Sequence, residues 1–109
     1  FKSHIRESKS HKEQLKKLEK EIDLHIEELV DDVAGLSSHE MLSIQLERVE
    51  KELDKALNAG MKKLVFIHGV GNGRLKMEIQ KILKSTKGVT FQDASYKDYG
   101  FGATQVNIL

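Results

Sequence analysis

Two short runs carry the side chains able to do chemistry. One is Asp23, Leu24 and His25; the other is His68-Gly69-Val70-Gly71-Asn72-Gly73. Imidazole changes charge near neutral pH, so His25 and His68 are candidates for general acid and base. Asp23 is a candidate to orient a histidine or to help hold a divalent ion such as Mg²⁺ or Mn²⁺. Asp23, His25 and His68 are therefore the candidate catalytic residues. Gly69, Gly71 and Gly73 permit positive φ and close approach of a ligand to the backbone. A helix opening at Gly73, Arg74 and Leu75 would aim free N–H groups and a positive dipole end at an anion. Arg74 adds a planar fork suited to phosphate, and Lys76 a second cation. Gly69, Gly71, Gly73, Arg74 and Lys76 form the candidate phosphate-binding set. The glycine spacing fits neither the dinucleotide fingerprint nor a Walker A loop. Plainer roles exist for both runs: a strand-end histidine can simply bond the backbone, and a glycine loop can be a tight turn.

The runs matter only if the elements around them bring them together. Residues 21–25 alternate, with Ile22 and Leu24 to one face, and read as a short strand. Ile26, Leu29, Val30 and Val33 then follow helical spacing, with Gly35 placed to stop a short helix. Ser37 and Glu40 fit the capping box of a long helix striped by Leu42, Leu46, Val49, Leu53, Ala56 and Leu57, with Gly60 ending it. Its other face carries charges, Glu52 among them. Lys63 to His68 is the clearest strand, buried on both faces. Leu75, Ile79, Ile82 and Leu83 stripe a helix after the glycine loop, and Val89 to Ala94 and Ala103 to Ile108 read as strands of a C-terminal hairpin. The order β-α-α-β-α-β-β predicts a small two-layer α/β sandwich with a mostly parallel sheet. If the strands before His25 and His68 are parallel neighbours, both runs lie at one sheet edge, where open α/β sheets bind ligands.

Composition sets the frame. A chain of 109 residues holds one modest core. Residues 1–18 read as a Lys-rich linker from an upstream region, and 19–109 as the folded domain. A chain opening on Phe1 rather than Met is expected to be a piece of a longer protein. With no cysteine, disulfide scaffolds, cysteine nucleophiles and Cys-based metal sites are excluded, and a reducing cytoplasm suits such a fold. No apolar run approaches the roughly 18 residues of a membrane span. The net charge of +1 hides polarity: residues 1–20 carry +4, residues 21–59 carry −8 and residues 60–109 carry +5. A basic half of this kind suits a polyanion, provided its cations share a surface; solvated helix faces are the plainer explanation. Tyr96, Tyr99 and Phe101 share one glycine-containing loop, where they would either stack on bases or cap the core.

Asp23-Leu24-His25, His68-Gly69-Val70-Gly71-Asn72-Gly73 with Arg74 and Leu75, and the closing Gly102-Ala103-Thr104-Gln105-Val106 together resemble the small MutS-related (Smr) domain, over residues 21–109. The resemblance implies a compact α/β sandwich that binds DNA or RNA. In some members it implies cleavage, as nicking endonuclease or ribonuclease (a hydrolase), with metal dependence. Two departures stand out. Ile26 replaces the glycine that usually follows the Asp-Leu-His motif, and a β-branched residue restricts that turn. The stretch before the long helix is also longer than usual and carries Glu27, Glu28, Asp31 and Asp32, whose charges would repel a phosphate chain unless they bind a metal or face away. The expected function is nucleic-acid binding, with phosphodiester cleavage as the finer expectation. The alternative is a non-catalytic protein-interaction or regulatory domain, with other domains of the same chain as partners.

Overall fold

The computed structural model describes residues 18–109, so the expected linker lies outside the described residues apart from Leu18. The elements are β1 (Glu19–Asp23), α1 (Ile26–Leu29), α2 (Ser38–Asn58), β2 (Lys63–Ile67), α3 (Arg74–Lys84), β3 (Val89–Asp93), α4 (Tyr96–Tyr99) and β4 (Ala103–Ile108). The expected α/β sandwich and its element order are present, with one helical turn, α4, added inside the hairpin.

The sheet order is β1-β2-β4-β3. β1 pairs parallel with β2, Asp23 opposite Ile67. β4 runs antiparallel to both β2 and β3. The expectation of a mostly parallel sheet is corrected: one of the three pairings is parallel. The antiparallel β3–β4 hairpin is as expected from its short link; the difference is the place of β4. Insertion of β4 beside β2 then separates β2 from β3.

The helices cover one face. Ile22, Leu24, Leu64, Phe66 and Val106 from the sheet pack with Val49, Leu53 and Ala56 of α2 and Ile79 and Leu83 of α3. Burial of these side chains is the main force holding the layers together. On the opposite face a smaller cluster joins Val65, Ala94 and Ala103, with Ile67 and Tyr99 packed on it.

Local chemistry sets the helix limits. Ser37 Oγ accepts from Glu40 N at 3.1 Å and Glu40 Oε1 accepts from Ser37 N at 3.2 Å, closing the capping box of α2. The first helix is shorter than its spacing suggests. It ends at Leu29, Val30 is extended, and Asp32 Oδ1 accepts from Ala34 N at 2.9 Å, drawing the backbone into a turn. Glu52, expected on the solvated face of α2, is instead 3% exposed. Lys20 Nζ of β1 reaches its carboxylate at 2.9 Å and Arg48 Nε at 3.0 Å. Burial pushes the Glu52 carboxyl up, but the two cations outweigh it and leave it below the ordinary range.

Candidate functional site

The parallel β1/β2 pair brings both motifs to one sheet edge, as the topology argument requires. Just beyond β1, Leu24 N donates to Ile67 O at 2.9 Å, so the parallel pairing continues up to His25. Gln45 Nε2 of α2 donates to Leu24 O at 2.9 Å and fixes the same turn from the helix layer.

Asp23 holds His25 twice. One carboxylate oxygen, Oδ1, accepts from His25 N at 3.0 Å and lies 2.5 Å from His25 Nδ1. The backbone N–H foremost, then the ring, keeps the Asp23 carboxyl below its usual range. An ionised carboxylate only accepts, so Nδ1 carries a proton, and in the neutral ring Nε2 is the nitrogen that holds the lone pair. That nitrogen lies against the glycine loop: a Cβ on Gly69 would sit 3.0 Å from it. Among the described residues Nε2 has no hydrogen-bond partner. His25 is half exposed, with 51% of its side chain open to solvent.

Gly69 is confined from both sides. Its φ is +76°, where a side chain is strained, and a Cβ on Gly102 would sit 3.2 Å from Gly69 Cα. Gly102 O accepts from both His68 N and Gly69 N at 2.9 Å, pinning the loop to the start of β4.

His68 differs from His25. It is 8% exposed and both ring nitrogens are engaged. Nδ1 donates to Gly69 O at 2.8 Å, so Nε2 is the acceptor for the Thr104 hydroxyl at 3.0 Å. Burial chiefly holds its pKa below the usual value, with Lys76 and His25 acting in the same direction against Gly69 and Asp93. The structure thus brings His25 and His68 to one loop, but only His25 presents a free nitrogen.

The glycine loop leads into α3 with Gly71 at φ +42° and Gly73, the N-cap, at φ +81°. Asn72 Oδ1 already accepts from Arg74 N at 3.0 Å, occupying one of the helix-end amides. The Arg74 guanidinium is largely exposed, its Nε 3.4 Å from Glu78. Lys76 pairs with Asp93 at the end of β3, at 2.9 Å. Beside the loop is a groove of about 390 Å³ between the start of α2 and α3, lined among others by His39, Leu42, Gln45, Asn72 and Arg74. His39, exposed in the first turn of α2, lines this groove. Sequence reasoning missed Gln45 and the hydroxyl of Thr104. Gln45 sits on the flank of the apolar stripe of α2, and that polar residue beside the stripe was the available signal.

Among the described residues no group of three His, Asp or Glu side chains is placed to hold a metal ion. Asp23 is committed to His25, and Glu27, Glu28, Asp31 and Asp32 are all exposed. The described residues do not form a protein-built metal centre.

The Smr domain family matches residues 31–108, a span that begins downstream of Asp23 and His25. The Endonuclease MutS2 of Clostridium kluyveri is 35% identical over 96 residues, 86% of this chain and 12% of that protein. The Endonuclease MutS2 of Caldicellulosiruptor bescii is 37% identical over 91 residues, 83% of this chain and 10% of the relative. The chain therefore spans about a tenth of the length of these relatives. The crystal structure of the Smr domain of Thermus thermophilus MutS2 superposes with a TM-score of 0.64 at 31% identity, covering 83% of this chain and 98% of that one. On sequence and fold alike, the chain belongs to the Smr domain family.

Proposed function

We propose that the chain binds nucleic acid at this sheet edge and cleaves a phosphodiester there. The observation that carries the reading is the Asp23–His25 pair, with Nε2 free, half exposed and set against a glycine loop. Nε2 takes a proton from water or from a ribose 2′-hydroxyl, and Asp23 steadies the imidazolium that forms. The amides of Val70 to Gly73 and the Arg74 guanidinium receive the charge that develops on the phosphate oxygens. His68 acts through Gly69: it positions the loop rather than touching the reacting atoms. The relatives carry the name endonuclease, which supports the reading for this chain without extending to substrate.

The test is incubation with labelled single-stranded RNA and with supercoiled plasmid, each with Mg²⁺, with Mn²⁺ and with chelator, alongside salt-series binding. Cleavage lost in His25→Ala with binding retained is the expected outcome. The exposed carboxylates of α1 and the following loop favour a second reading, a docking module for protein partners or for other domains of the same chain. Absence of both cleavage and salt-dependent binding would select it.

A further inference from the structure

The three aromatic residues of the β3–β4 connection split into two roles. Tyr99 caps the small cluster on the open sheet face, and its hydroxyl donates to Glu21 on β1. That bond, with Gly100 N donating to Tyr96 O at 2.7 Å and Tyr99 N to Ser95 O at 2.9 Å, makes α4 a fixed turn. Tyr96 and Phe101 are displayed outward, 66% and 71% exposed. Their rings contact each other, centroids 4.7 Å apart at 54°. They are not core, so the capping role open to them in sequence falls to Tyr99 alone.

Their position is beside the candidate site. Phe101 adjoins Gly102, whose carbonyl accepts from His68 N and Gly69 N, and Val70, also exposed, follows Gly69. The other exposed large apolar side chains among the described residues are Val33 in the loop before α2, Met77 on α3 and Leu109 after β4. We propose that Tyr96 and Phe101 form a stacking platform for an unpaired nucleobase next to the phosphate held at Gly69 to Gly73, so that the site takes single-stranded or locally unpaired nucleic acid. This rests on the nucleic-acid reading above. A base and its phosphate belong to one nucleotide, so a phosphate at the loop brings its base within reach of the adjoining rings. Aromatic faces accept any base, whereas bases inside a duplex have both faces covered by their neighbours. A platform fixed before binding also loses little freedom when the base arrives.

The test is binding by the 109-residue chain of labelled single strands, RNA and DNA, their matched duplexes, and single strands with abasic positions. Tyr96→Ala and Phe101→Ala should each weaken single-strand binding about tenfold, with duplex affinity, salt slope and thermal stability unchanged. Abasic strands should bind the wild type as weakly as intact strands bind the alanine variants. Phe101→Trp should keep the affinity and report stacking by quenched emission. If the alanine variants bind single strands like wild type, or lose duplex binding equally, the platform is wrong while nucleic-acid binding stands. If the wild type shows no salt-dependent binding to any strand, the underlying reading fails and the platform with it.

Discussion

His25 and His68 are the same residue type at the ends of two neighbouring strands, and only burial tells them apart. His68 gives both ring nitrogens to Gly69 and Thr104, while His25 keeps Nε2 free. Replacing His68 with Gln should cost about 1–3 kcal/mol of stability by unpairing these groups. Its pH signature follows from its lowered pKa. The folded state resists protonation, so stability is full above the unfolded value of 6.5 and declines as pH falls from there through the folded value. Thermal unfolding from pH 8 to pH 5 should show that loss in the wild type and a flatter profile in His68→Gln. Gly69→Ala should cost about 1–3 kcal/mol from its positive φ and displace His25, lowering cleavage along with thermal stability. The motif residues were legible because their types are scarce and chemical. Gln45 and Thr104 were not, because their roles depend on which groups the fold brings beside them, the Leu24 carbonyl and the His68 ring.

At the scale of elements, local signals were read well where the physics is local. The capping box set the start of α2, and alternation placed Ile22 and Leu24 on the helix-covered face of β1 and the residue after it. Sheet order was not legible, because nothing in the periodicity of β4 tells it to lie between β2 and β3. Nor was the burial of Glu52, which requires knowing that Lys20 of β1 passes under α2. This contact yields a prediction on both sides. Lys20→Ala with Arg48→Ala leaves a buried carboxylate unpaired and should destabilise by about 2–3 kcal/mol. Glu52→Leu, which removes the charge and fills the space, should be close to neutral. Urea unfolding of the two variants checks the pair; equal losses would mean that the carboxylate itself supplies the stability.

For the whole molecule, the charge polarity seen in the sequence survives only in diluted form. Of the cations in residues 60–109, Arg74, Lys76 and Lys81 have a carboxylate within 4.0 Å, while Lys62, Lys63, Lys84, Lys87 and Lys97 have none among the described residues. Arg74→Ala should lower the slope of log K against log salt by about 1, uniformly across sequences. In the proposed mechanism His25, oriented by Asp23, does the chemistry while His68 supports the loop. The most direct measurement is single-turnover cleavage of a saturating labelled strand by wild type, His25→Ala and Asp23→Asn, with binding and unfolding recorded on the same samples. The wild type should cleave, His25→Ala should not, and Asp23→Asn should be strongly slowed, with affinity and melting temperature nearly unchanged. Cleavage by His25→Ala at the wild-type rate would contradict that mechanism.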